Sequence, residues 1–185
     1  MIPCALDPLR VRIAVAGRGA AARRRATLLA AGAPDLPLFT DAPEGIGAVP
    51  GNVVLRDGLP DAVALSDLSA LWIAGLPAEE AARLARLARV LRVLVNVEDA
   101  PALCDFHSVA EVRRGHLLIA ISTGGRSPGL AALVRRWIAA AFGPEWAGRT
   151  EAIGAQRAAW RAEGASMAEV AERTEAAVEA ARWMP

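Results

Sequence analysis

The sequence predicts an α/β fold: a parallel sheet covered by helices, followed by a small helical module. Three observations lead there. Short aliphatic, β-branched runs alternate with longer Ala/Arg/Leu segments up to about residue 110. Glycines stand at the junctions between them. After Pro128 no strand pattern returns. Composition agrees, since 54% of the 185 residues are hydrophobic and 22% charged, which suffices to bury a core.

Taken in order, "VRIAVA" (Val11–Ala16) reads as a buried first strand. "GRGAAARRRATLLAAGA" turns on its glycines, continues as a helix and stops at Gly32. Leu36–Thr40 is a second strand, Asn52–Leu55 a third and "LWIAG" (Leu71–Gly75) a fourth. Pro77 opens a helix that places Leu84, Leu87 and Val90 on one side. "VLVNV" (Val93–Val97) is the fifth strand and "LLIAIS" (Leu117–Ser122) the sixth. Three helices follow: Gly129–Phe142, Pro144 to about Arg161, and Ser166–Trp183. Gly143-Pro144 and Gly164 separate them. The expected division is 1–110, 111–145 and 146–185.

The bulk properties exclude several classes. A net charge of +1 gives no general attraction to nucleic acid or membrane. All 21 basic residues are arginine, whose planar fork suits carboxylates. Cys4 and Cys104 are isolated, which favours buried free thiols over a disulfide or metal pair. No apolar run approaches the ~20 residues of a membrane span. The N-terminus lacks the features of a signal peptide, so a cytoplasmic protein is expected.

Three stretches carry chemistry. Gly17, Gly19 and Ala22 make a G-x-G-x-x-A pattern between strand and helix, the fingerprint of a Rossmann-like dinucleotide site. Small residues at Gly17, Gly19, Ala20 and Ala21 would let a pyrophosphate approach the helix N-terminus, where Arg18 would clasp a phosphate, crowd it or mark a degenerate site. Asp41, after Thr40 at the end of the second strand, is placed to bond an adenosine ribose hydroxyl, which favours NAD over NADP. In "VNVEDAPALCDF", Asn96, Glu98, Asp99 and Asp105 gather at the carboxyl end of the fifth strand. There a carboxylate could accept a proton, or Glu98 could be solvated while Asp99 and Asp105 cap the turn. His107 is a proton-transfer candidate by location, and Gly75 and Asn96 are placed with the cofactor.

"ISTGGRSPGL" (Ile121–Leu130) combines a Ser127-Pro128 helix start with Ser122, Thr123, Gly124 and Gly125. Convergent amides and the flanking Arg113, Arg114 and Arg126 suit an anion, which exceeds what a helix cap needs. Neither His107 nor His116 has a clustered partner, so no metal site is expected. The tryptophans of the tail (Trp137, Trp146, Trp160, Trp183) suit packing better than base stacking.

Together, "MIPCALD", "AGRGAAARRRATLLAAGA", "VNVEDAPALCDF" and "VRRGHLLIAISTGGRSPGLAALVR" resemble the precorrin-2 dehydrogenase/sirohydrochlorin ferrochelatase family, in its stand-alone form. The resemblance covers roughly residues 1–145. It implies NAD-dependent oxidation of precorrin-2 to sirohydrochlorin, followed in some members by ferrous-ion insertion to give siroheme. It also implies a Rossmann domain, a dimerisation and substrate-binding segment, a helical tail, and an active site shared across a homodimer. The family's essential aspartate falls on Asp99, its cofactor loop on Gly17–Ala21, the end of its second strand on Thr40 and Asp41, and its substrate turn on Ser122–Gly125. Arg114, Arg126 and Ser127 join that turn. The sequence departs at Arg18, where many members have glycine; at "AGLPAEE", where a Thr-Asp-Asp run is common; and at "FHSVAEV", which lacks a proline. Two other readings remain: a tetrapyrrole-binding or chelatase-only module with a degenerate NAD site, and an unrelated Rossmann oxidoreductase acting on another carboxylated substrate.

Overall fold

The computed structural model describes residues 2–184. The chain divides into two compact units at Ser108/Val109. The first boundary, expected at 110, therefore falls two residues earlier. The segments expected at 111–145 and 146–185 both lie within the second of these units.

The first unit is built on five parallel strands: β1 (Ile13–Gly17), β2 (Leu36–Thr40), β3 (Val53–Asp57), β4 (Ala70–Ala74) and β5 (Leu94–Val97). Their order is β3-β2-β1-β4-β5. The chain thus reverses direction across the sheet between β1 and β4, the position at which open α/β sheets bind ligands beyond their carboxyl ends. Val15 is in register with Leu38 on one side and with Trp72 on the other. Three helices cover the sheet: α1 (Gly19–Ala30), the short α2 (Ala62–Ser66) and α3 (Ala78–Val90). The five-residue α2 was not expected from the sequence; its one local signal is Asp61, the N-cap that accepts from the Ala64 amide at 2.8 Å.

Strand alternation divides the core in two. Ala14, Ala16, Leu71, Ile73, Val95 and Val97 pack against Leu65 of α2 and Leu84, Ala85 and Ala88 of α3. Val15, Leu36, Leu38, Ala70 and Trp72 face Ala22, Ala26 and Ala30 of α1. Alanine at every fourth position of α1 lets that helix lie close to the sheet, which is why an Ala-rich segment suffices here. β4 is buried along its whole length, as a continuous apolar run in a doubly covered sheet should be. Val90, expected on the apolar side of α3, is instead 78% exposed because it shares the outward face of the helix with Arg83 and Arg86, opposite the buried Ala81, Leu84, Ala85 and Ala88.

The second unit opens with an antiparallel pair, β6 (Ala110–Arg114) and β7 (Leu117–Ile121), where the sequence suggested a single strand. "AEVRR" looks polar on its own; only its pairing with β7 makes it a strand. α4 (Pro128–Ala141), α5 (Trp146–Ala162) and α6 (Met167–Ala180) follow. Ser127 caps α4 by accepting from the Leu130 amide at 3.2 Å. Ser166 and Glu169 form a reciprocal capping box on α6. Phe142, Trp146 and Trp183 cluster, and the Arg149 guanidinium lies over the Trp146 ring at 4.9 Å.

Candidate functional site

At the carboxyl edge of β1 the backbone is crowded by design of the sequence. A Cβ on Gly17 would overlap the Ala74 carbonyl oxygen, and one on Gly75 would overlap the Arg18 carbonyl oxygen. Gly75 also has φ +69. These two glycines let the ends of β1 and β4 meet, so their first duty is steric. Gly19 differs: it has φ +60 and open space where a side chain would stand. Arg18 is the N-cap of α1, but no side chain caps the helix and no acid occupies its first turn. The amides opening α1, at Gly19, Ala20 and Ala21, therefore present positive potential toward that space.

Arg18 is the most heavily bonded side chain of this edge. Its Nε and Nη2 donate to the two carboxylate oxygens of Asp41 at 2.6 Å each, and Nη2 also donates to Glu80 Oε2 at 2.9 Å. These bonds raise the Arg18 pKa, with Asp41 the larger cause and Glu80 the second, and Arg18 holds the Asp41 carboxyl below its ordinary range. Thr40 is buried, and its hydroxyl accepts from the Ala42 amide at 3.2 Å. It shapes the strand end and leaves Asp41 as the exposed acceptor.

The acidic turn after β5 is built with more interior support than the sequence suggested. Asn96 was expected beside the cofactor; instead it is buried and committed to the turn. Its amide donates to the Phe106 carbonyl at 2.9 Å, and its oxygen accepts from Ser108 Oγ at 3.4 Å. That hydroxyl in turn accepts from Trp72 Nε1 at 2.9 Å. Cys104 Sγ accepts from the Val97 amide and donates to the Val97 carbonyl, both at 3.2 Å. Cys104 is thus half-buried for a structural reason, whereas Cys4 is exposed rather than buried as expected. Asp105 accepts from the Val95 amide and from Arg89 Nε, both at 2.9 Å, so capping is its role.

Of the two readings of the acidic turn, the one that leaves Glu98 solvated does not fit its surroundings. Its side chain is only 15% exposed, 2.8 Å from Arg24 Nη2 and 3.7 Å from Arg25 Nη2 on α1. Arg24 is raised chiefly by Glu98, while burial pushes Arg25 down. Asp99 contributes to the field at both arginines, which places its carboxylate within electrostatic reach of α1. Asp99 itself is exposed and has φ +59, a left-handed backbone that aspartate tolerates better than most residues. His107 is exposed at the far end of the same turn. Arg24, Arg25 and Glu80 were not among the sequence candidates; the unpaired run Arg23-Arg24-Arg25 was the available signal.

In the second unit, Gly124 and Gly125 have φ +65 and +77, so both glycines are required by the turn. The hydroxyls largely build it. Thr123 Oγ1 bonds both the amide and the carbonyl of Ser127 at 3.1 Å, and Ser122 Oγ accepts from the Gly124 amide at 3.2 Å. Arg126 is exposed and makes no side-chain hydrogen bond or ion pair among the described residues. Arg114, expected at the anion, donates instead to the Phe142, Arg113 and Ala139 carbonyls at 2.8, 2.9 and 3.1 Å. It satisfies the last turn of α4, and all three of its nitrogens are occupied.

The glycine turn, the uncapped helix and the acid closing β2 define the first unit as a dinucleotide-binding α/β module. A family model described as NAD(P)-binding matches residues 4–110, more than half of the chain, and one described as sirohaem biosynthesis protein central matches residues 114–141. The chain belongs to the NAD(P)-binding family whose model covers residues 4–110. It is similar to siroheme synthase of Azotobacter vinelandii, 38% identical over 144 residues that span 71% of this chain and 30% of that protein. It is also similar to siroheme biosynthesis protein met8 of Schizosaccharomyces pombe, 44% identical over 50 residues that span 27% of this chain and 19% of that one. The chain thus spans under a third of the length of these relatives. Among solved structures, SirC, precorrin-2 dehydrogenase, shares the fold with a TM-score of 0.73 and 17% identity, over 95% of this chain and 88% of that chain.

Proposed function

We propose that this protein oxidises precorrin-2 to sirohydrochlorin with NAD as the acceptor, a step of siroheme biosynthesis in the cytoplasm. The observation that carries the reading is Asp99: an exposed carboxylate on a left-handed residue, at the same sheet edge as the glycine turn and within the field of α1. The residues present fit the cofactor. Gly19, Ala20 and Ala21 offer amides to a pyrophosphate across open space, Gly17 and Gly75 keep the strand ends close, and Asp41 offers acceptors to ribose hydroxyls. An acid rather than a free cation at Asp41 favours NAD over NADP.

Bound nicotinamide supplies the hydride acceptor. The oxidation removes one hydride and one proton from the macrocycle, and Asp99 receives the proton. Its backbone is fixed by its neighbour, because Glu98 is anchored to α1 through Arg24 and Arg25. His107, exposed in the same turn, is the second proton-transfer candidate. The tetrapyrrole carries several carboxylates, and the Gly124–Gly125 turn presents Arg126 as an uncompensated cation to receive them. Ferrous ion enters this reading as a substrate: Asp99 would accept the pyrrole protons released when iron is inserted. The relatives named above as siroheme synthase and as a precorrin-2 dehydrogenase support this substrate class. The test is to supply precorrin-2 and NAD, follow NADH and the sirohydrochlorin spectrum, and repeat with ferrous ion. No turnover with NAD bound would leave an oxidoreductase acting on another carboxylated substrate, and no binding of NAD would leave the tetrapyrrole-binding or chelatase-only module.

A further inference from the structure

The Arg18 side chain reaches from its own turn to acids on two other elements. One guanidinium joins three elements: the β1–α1 turn, the end of β2 through Asp41 and the first turn of α3 through Glu80. All three side chains keep solvent access, with 29%, 40% and 35% exposure. The cluster holds one cation against two carboxylates and so has an excess negative charge. That is an odd device beside amides whose chemistry calls for an anion. It also takes one acceptor site on each Asp41 oxygen, so a ribose hydroxyl must share that acid with the guanidinium while Arg18 stays in place.

Resting on the reading of the first unit as a dinucleotide site, we propose that Arg18 is an exchangeable strap and that Glu80 sets cofactor affinity by holding it. On cofactor entry the guanidinium leaves Asp41 and Glu80 for the pyrophosphate, and Asp41 is released to the ribose. One movement thereby resolves both conflicts. Charge accounting agrees, because two phosphate charges compete for the cation while the hydroxyls replace it on Asp41. Glu80 gains no new partner in the exchange, so its bond to Arg18 works only against binding. The perturbed titrations of Arg18 and Asp41 reflect the same closed state.

The test is a double-mutant cycle read by calorimetric titration of the full chain with NAD, using Glu80→Gln, Arg18→Met and the pair, with circular dichroism to confirm folding. Arg18→Gln repeats the cycle should the Met variant misfold. Glu80→Gln is expected to tighten NAD binding about two- to fivefold, the worth of one exposed ion pair. Arg18→Met is expected to weaken it about fivefold or more, and Glu80→Gln to have no effect in the Arg18→Met background. Equal tightening in both backgrounds would mean simple charge repulsion by Glu80 and overturn the exchange. Tighter binding by Arg18→Met would show a fixed plug and overturn it equally. If neither wild type nor any variant binds a dinucleotide, the cofactor reading falls and the strap with it; binding without coupling removes the strap alone.

Discussion

At the residue scale the proposed chemistry rests on Asp99 and its neighbours. A carboxylate acting as general base contributes about 100- to 10,000-fold, so Asp99→Asn should lower kcat by that order while leaving the Kd for NAD nearly unchanged. Steady-state kinetics with calorimetry separates the two. Arg126→Ala should raise the KM for precorrin-2 about three- to tenfold with little change in kcat, as expected for one exposed charge-assisted bond. Arg114→Ala should instead destabilise the second unit, because its three nitrogens serve carbonyls. The Asp41 carboxyl titrates below its ordinary value, so its contribution to stability is fully present above a pH of about 4, the unfolded pKa, and is lost as pH falls through the lower folded value. Thermal melts of wild type and Asp41→Asn should therefore differ at neutral pH and converge in acid.

Elements explain how those residues are held, and how far they were legible beforehand. The five strands of the first unit were readable because each is an apolar run ending in a turn residue. The G-x-G turn and the Asp41 position were readable because their spacing is fixed by strand, turn and helix. The partners of the charges were not: Glu98 meets Arg24 and Arg25 from 74 and 73 positions away, and Arg18 meets Glu80 from 62. Side-chain amide roles were equally hidden, since Asn96 is bound by Phe106 and Ser108, which only the folded return of the turn brings near it. β6 was missed because a charged edge strand has no apolar period of its own. Glu98→Gln should leave a largely buried Arg25 without its counter-ion and lower stability by about 1–3 kcal/mol, measurable by urea denaturation. It should also lower kcat, since Asp99 follows directly on that anchor. Ser166→Ala, which breaks the α6 capping box, should cost about 1 kcal/mol and leave NAD binding unchanged.

The whole molecule joins two compact units: one built on the five-stranded sheet with the glycine turn of a dinucleotide-binding module, the other carrying a strand pair, the Gly124–Gly125 turn and three helices. We read the working form as a homodimer. Leu130, Leu133 and Trp137 stand 50%, 53% and 81% exposed along one stripe of α4, an apolar surface that a second copy would cover. Trp137→Glu should shift the mass found by light scattering from twice the chain to one. Among the described residues no helix is long and apolar enough to cross a membrane.

The most direct measurement is turnover of precorrin-2 with NAD by wild type and by Asp99→Asn, scored by NADH formed and by the sirohydrochlorin spectrum. The account predicts stoichiometric NADH and product from wild type, and a loss of at least about 100-fold in the variant with NAD still bound. Equal rates from the two proteins would contradict it.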